Sequence, residues 1–531
     1  MGLLDRLRYR WAATAELIPT TAGRRPSPSC TAAEKSESFK AIWVGVIAGL
    51  LVFLAYLPTV QRGLGNWDVG EFQTVPYILG IAHPTGYPFY TLLGKVWLIL
   101  MPVGSVAYRM NLLSAVCAAG AVGILGFMSR RFAGTFIALA SALTFGLAPY
   151  YWRVALRADP HALNALMVLG LLALCLAWAK RREPWLLGVL AFWSGLSLGN
   201  HLLILMLFPA VAILVLTTAP TKELTGKFVA ALAGLFSAGL SVYWYLPLRS
   251  LMNPPLNYGH PTTLERFLYL VSGSQFRGHM HFLSLEGIAH FGQKLAQYPA
   301  YLQTWYTGPG AALIGLFAIC GLGWLCTKHW QTALFLGLAF LVPLYAASNY
   351  ENADLDRYHF PAHAVLLLCA AIGSGAIWKA WQTKPRVLLL LPLLALILPL
   401  ILWQQNHGKF VQEAQDDWPR RFMEAVFRSA PENGVILSWW SVSTPLWYGR
   451  WVEGRRPDLL IVDDRNLYDD NWDGDFFKVV QANLGKRPIV TLYQEHDLAR
   501  LRAAGYQLTE FSDPQFGHLG FLLQGKKLDN P

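Results

Sequence analysis

Uninterrupted apolar runs of about 15 to 21 residues recur along the chain, and short charged breaks separate them. The runs cover 41–60, 110–128, 132–151, 162–179, 185–199, 201–218, 228–248, 308–327, 330–348, 360–378 and 387–403, and none contains Asp, Glu, Lys or Arg. A hydrocarbon core of roughly 30 Å needs about 20 apolar residues in helical form, so each run predicts a membrane-spanning helix. A twelfth stretch, 85–101, carries Lys95 in its middle. A central Lys costs roughly 2.5 to 3.5 kcal/mol on insertion, which predicts an interfacial helix instead. After Trp403 charged residues become frequent and the apolar stretches shorten to strand length at 435–439, 459–462, 489–493 and 521–524. These alternate with helical segments and predict a small α/β domain.

Composition and charge extend this picture. With 54% hydrophobic and 14% charged residues in 531, the chain has too little polar surface for an ordinary soluble protein. The formal charge of +11 comes from Lys and Arg that flank apolar runs, which argues against nucleic acid as a partner. With eleven spans, the basic tail shares its side with Arg130 and Arg131, with Lys180, Arg181 and Arg182, with Lys222 and Lys227, with Lys328, and with Lys379, Lys384 and Arg386. Every short basic loop then faces the cytoplasm, as expected if positive charge resists translocation. The tail lacks an early apolar core followed by a cleavage site, so the first span is expected to be retained as an anchor. The expected organisation is a cytoplasmic basic tail over 1–40, a transmembrane domain over 41–403 with outer loops 61–109 and 249–307, and an extracytoplasmic domain over 404–531. Five of the six cysteines fall in apolar runs and Cys30 in the tail, so no disulfide framework is readable.

Candidate chemistry concentrates in the segments expected outside. Asp68 and Glu71, three residues apart just beyond the first span, would share one face of a helical turn, where one carboxylate accepts a proton and the other orients it or holds a cation. A cap on a surface helix is the bland alternative for Asp68. His83 lies in a turn made rigid by Pro84, Gly86 and Pro88, and Asn200 with His201 breaks the apolar stretch between the fifth and sixth spans. Arg249 and Arg357 stand at outer membrane edges, where a guanidinium fork suits a lipid-linked phosphate, although a snorkelling Arg reads the same way. Residues 152–163 add Arg153, Arg157, Asp159 and His161. Asp469, Asn471, Asp473 and Gly474 begin like a calcium loop, but Val480 stands where the closing Glu belongs. The extra carboxylate of the first loop admits a divalent metal without a complete ligand set in view.

These features together resemble the GT-C glycosyltransferase superfamily. The segment Trp67-Asp68-Val69-Gly70-Glu71-Phe72 and the turn His83-Pro84-Thr85-Gly86-Tyr87-Pro88 are similar to the family of the vertebrate transmembrane O-mannosyltransferase and its bacterial relatives. Supporting likenesses are Gly195-Leu196-Ser197-Leu198-Gly199-Asn200-His201, Tyr245-Leu246-Pro247-Leu248-Arg249 and Glu453-Gly454-Arg455-Arg456-Pro457-Asp458. The fold so implied is an all-α polytopic membrane protein of the GT-C type, with about eleven transmembrane helices and a soluble C-terminal α/β domain. The resemblance implies an inverting transferase that moves a sugar from a polyprenyl-phosphate monosaccharide to a protein, glycan or lipid acceptor. Asp68 would be the base, Glu71 would orient the acceptor or Asp68, and Arg249 and Arg357 would hold the leaving phosphate. His83, Tyr87, Asn200, His201 and Asp159 would line the pocket. The implied location is the inner (plasma) membrane of a bacterium. A transporter or lipid flippase, or a non-catalytic membrane scaffold, is the alternative, but proton-coupled transporters often carry ionisable residues within their spans and these runs carry no acidic one.

Overall fold

A computed structural model describes residues 32–219, 225–351, 354–381, 391–464 and 475–526. The amino-terminal tail with Cys30, the charges Lys222, Lys384 and Arg386, and the calcium-like stretch 469–474 lie outside the described residues.

Among the described residues, seven helices are long and apolar enough to cross a bilayer: Lys35–Thr59, Val106–Arg130, Pro160–Arg181, Gly226–Ser250, Gly308–Lys328, Trp330–Ser348 and Leu355–Ala380. Three further expected spans coincide with the shorter apolar helices Thr135–Leu147, Pro184–Leu198 and Leu202–Thr218. The expected span at 387–403 is described only from Leu391, as the short helix Leu391–Leu394 and then Ile397–Glu413, which runs unbroken past Trp403. The chain is an integral membrane protein with a mostly helical body.

Tight crossings draw the helices together. A Cβ built on Gly321 would lie 2.0 Å from the Cys369 carbonyl oxygen, and one on Gly373 would lie 2.0 Å from that of Phe317. The helices Gly308–Lys328 and Phe360–Trp381 therefore touch backbone to backbone, which only the missing side chains permit. Pro88–Leu100 is 13 residues long, about 20 Å at 1.5 Å per residue, and too short for the hydrocarbon core. Its Lys95 is half-buried and donates to the Tyr77 carbonyl at 2.6 Å. The expected outer loop before Gly308 also contains the helix Leu285–Tyr306, which hydrophobic periodicity alone did not mark.

The C-terminal region forms a five-stranded sheet in the order β2-β1-β3-β5-β4. Strands β1 (Val435–Ser438), β2 (Leu460–Asp463) and β3 (Ile489–Thr491) are parallel, and β3 pairs antiparallel with β5 (Gly517–Lys526). The short strands buried at the sheet centre, such as Val435, Ile436, Leu437 and Val490, are the ones the apolar pattern anticipates. β4 (Tyr506–Asp513), at the sheet edge, was not anticipated. Its mixed sequence buries only Tyr506, Phe511 and Asp513, so no apolar run announces it.

Candidate functional site

The site forms where the ends of several helices meet a helix of the C-terminal domain. Trp67–Ile78 starts directly after the first span, with Asp68 in its first turn, where the helix dipole favours a carboxylate. Asp68 and Glu71 occupy successive turns, yet their partners differ. Asp68 Oδ1 accepts the Trp440 indole N–H at 2.9 Å, and its Oδ2 lies 3.7 Å from Arg357 Nη2. Its side chain keeps 30% exposure.

Glu71 turns inward and is 2% exposed. One oxygen accepts the His83 backbone N–H at 2.8 Å and the other pairs with His83 Nδ1. A buried carboxylate is tolerable only when its lone pairs are satisfied in this way. Glu71 therefore sets the ring and backbone of His83. The His83 ring packs edge-on against Tyr87 at 5.2 Å and Trp440 at 5.4 Å, and its Nε2 lies 3.5 Å from the Tyr87 hydroxyl.

Asp159 caps the helix Pro160–Arg181. Its Oδ1 accepts the His161 backbone N–H at 2.9 Å and pairs with His161 Nδ1 at 2.8 Å, while Oδ2 lies 3.3 Å from Arg357 Nη1. Burial alone would raise the proton affinity of this carboxyl. The His161 and Arg357 charges more than offset it and hold Asp159 well below the usual carboxylate range. Arg357, 11% exposed, thus bridges Asp159, Asp354 at 2.5 Å and Asp68.

His201 stacks obliquely on His161 with ring centroids 4.5 Å apart and lies 5.8 Å from Tyr87. Its Nδ1 accepts the Leu203 N–H at 3.1 Å, which leaves the proton of a neutral ring on Nε2. Asn200 is fully buried and donates to the Pro160 carbonyl at 3.1 Å. Asp68, Arg357, Asp159, Glu71, His83, Tyr87, Asn200 and His201 therefore form one connected cluster. Arg249 stands apart from it. Its Nε and Nη2 donate to the carbonyls of Leu79 and Ile78 at 2.6 and 3.2 Å, at the far end of the helix that starts beside Asp68. Ten residues of helix put that end about 15 Å from Asp68. Among the described residues no three His, Cys, Asp or Glu side chains group as metal ligands.

Sequence reasoning missed Trp440. Its helix, Trp440–Trp447, packs on Trp67–Ile78 so closely that a Cβ on Gly70 would meet Thr444 Oγ1 at 2.7 Å. Trp439 meets Trp67 edge-on at 5.0 Å beside it. The available signal was the Trp439-Trp440 pair in a segment crowded with aromatic residues.

A helical membrane body whose helix ends gather acids and an arginine beneath a small C-terminal domain is the GT-C fold. The chain superposes on the crystal structure of ArnT from Cupriavidus metallidurans in the apo state with a TM-score of 0.55 at 13% identity, over 93% of this chain and 98% of that one. ArnT bound to undecaprenyl phosphate gives 0.54 at 12% identity, over 91% and 97%. The archaeal oligosaccharyltransferase AglB from Archaeoglobus fulgidus, in complex with an inhibitory peptide and a dolichol-phosphate, gives 0.52 at 12% identity, over 92% and 75%. Within that fold, residues 68–225 match the family model for the N-terminal domain of protein O-mannosyl-transferase TMEM260. The chain is 28% identical to the Mus musculus protein O-mannosyl-transferase TMEM260 over 428 residues, 77% of this chain and 61% of the relative. It is 22% identical to the Dictyostelium discoideum protein of that name over 509 residues, 86% of this chain and 61% of the relative. The chain thus spans about three fifths of the length of these relatives. The resemblance carried by Trp67–Phe72 and His83–Pro88 is borne out.

Proposed function

We propose that this protein is a membrane glycosyltransferase that moves a sugar, mannose by analogy with the relatives' names, from a polyprenyl-phosphate carrier to a protein hydroxyl on the non-cytoplasmic side. The observation that carries the reading is the contrast among three carboxylates of one cluster. Glu71 and Asp159 are 2% and 3% exposed and each is paired with a histidine, whereas Asp68 keeps 30% of its side chain open to an incoming acceptor. Asp68 is the base in this scheme. It takes the proton of the acceptor hydroxyl as the oxygen attacks the anomeric carbon. The bond from that carbon to the phosphate oxygen breaks and the lipid phosphate leaves with the electron pair. Attack opposite the leaving group inverts the anomeric centre. Arg357 and the Trp440 N–H position the Asp68 carboxylate for the transfer. His83, Tyr87 and His201 wall the pocket.

The proposed sidedness puts the amino terminus in the cytoplasm and the C-terminal domain opposite, on the strength of the basic loops. The curated relatives are eukaryotic and lend nothing to a bacterial membrane as the location.

The test is purified protein with labelled polyprenyl-phosphate sugars and peptide acceptors. Asp68→Asn is expected to lower turnover by about 10²- to 10⁴-fold with folding intact, the usual contribution of a general base. Transfer at the wild-type rate in that variant would reject Asp68 as the base.

A further inference from the structure

Three of the arginines on the expected outer loops of the membrane domain, Arg249, Arg357 and Arg157, are treated differently by the structure. Arg249 is engaged by two carbonyl oxygens, and Arg357 by three carboxylates. Arg157 makes no hydrogen bond or ion pair among the described residues, and its Nε is buried without a partner. It nevertheless lies within electrostatic reach of Asp159, Arg357, Asp354 and Arg153, at the edge of the cluster that contains Asp68. Both nearby carboxylates already belong to Arg357.

The backbone around Arg157 is fixed. The Leu156 carbonyl accepts the Gln61 N–H at 2.9 Å, the Ala158 N–H donates to Asn111 Oδ1 at 2.8 Å, and the Asp159 N–H donates to Ser114 Oγ at 3.0 Å. A guanidinium on a rigid turn that bonds directly to no carboxylate is costly, because the buried part of the charge has lost water without gaining a hydrogen-bonded partner. Burial accordingly pushes Arg157 below the usual arginine range. An anion at this position would supply what is missing, and the planar fork of Arg matches two oxygens of a phosphoryl group.

We propose that Arg157 is the phosphoryl-binding residue of the site, taking the phosphate of a polyprenyl-phosphate donor or product. This rests on the transferase reading for the identity of the lipid, but its physical basis is the unpaired guanidinium. Arg249 then acts as a cap for the Trp67–Ile78 helix and has no part in phosphate binding.

The test uses the full chain in detergent, with thermal melts in the presence of polyprenyl phosphate, unphosphorylated polyprenol or inorganic phosphate. Polyprenyl phosphate is expected to raise the wild-type melting temperature, and polyprenol is expected to leave it unchanged. Arg157→Gln should bind polyprenyl phosphate about tenfold to a hundredfold more weakly, the effect of losing a charge-assisted bond. Its ligand-free melting temperature should equal or exceed that of wild type, because a cation lacking a partner has been removed. A purely structural arginine gives the opposite result. Arg157→Lys should recover part of the affinity, and Arg249→Gln should lower the melting temperature without changing the affinity for polyprenyl phosphate. A wild-type shift with inorganic phosphate that Arg157→Gln removes would identify the phosphoryl group alone as sufficient. A shift with the lipid form only would identify a headgroup delivered from the bilayer, and both support the proposal. Wild-type affinity in Arg157→Gln, or a drop in its ligand-free melting temperature, overturns the assignment and leaves the transferase reading standing. Absence of any wild-type shift with every phosphate compound overturns both.

Discussion

Three carboxylates within one cluster are chemically alike, and their surroundings alone separate them. Asp68 sits at the rim between an indole N–H and a guanidinium, while Glu71 and Asp159 are each sealed against a histidine. The spacing of Asp68 and Glu71 on one helix was legible, but their divergence was not, because which way each side chain turns depends on residues 12 and hundreds of positions away. Asp159 allows a test of these environments through pH. Its carboxyl titrates below its unfolded value of about 3.9, so the stability linked to it is complete above that value and is lost as pH falls through the folded one. Wild-type protein should therefore lose thermal stability progressively below about pH 4. Asp159→Asn should start lower at neutral pH and decline less steeply over the acidic range. Melting curves from pH 3 to 7 check this, and equal slopes for the two proteins would count against the pairing.

At the scale of elements, the contact between Trp67–Ile78 and Trp440–Trp447 joins the membrane body to the C-terminal domain at the site itself. Gly70 permits that contact, since a methyl group there would collide with the Gly65 carbonyl and with Thr444 Oγ1, each at 2.7 Å. Gly70→Ala should force the two helices apart, cost about 1 to 3 kcal/mol as overpacking typically does, and draw the Trp440 N–H away from Asp68. Both the melting temperature and the turnover are expected to fall. Undiminished turnover would show that the Trp440 contact does not matter to the chemistry. Apolar run length sufficed to mark the long spans. It failed for Leu285–Tyr306, where Gly287, Gly292 and Pro299 and many polar residues obscure the helical period, and for β4, whose edge position requires no apolar face.

For the whole molecule, the decisive expectation is sidedness. Basic residues resist translocation, so a reporter fused after Arg182 should report from the cytoplasm and one at the carboxyl terminus from the other side. The reverse pattern would remove the C-terminal domain from the compartment in which a lipid-linked sugar is proposed to react. Sequence by itself determined that the chain needs lipid as solvent, which segments form its long apolar helices, that a small sheet follows, and that the loop after the first span bears the acids. Those properties depend on local composition and period, and the motif 67–72 is contiguous. Only the tertiary structure decided that Glu71 belongs to His83, that Arg249 caps a helix, that Trp440 reaches Asp68, and that the Arg157 Nε is buried without a hydrogen-bonded partner. Each of these is a pairing between side chains distant in sequence, and a short-range polar contact is fixed by packing geometry that composition and periodicity do not encode.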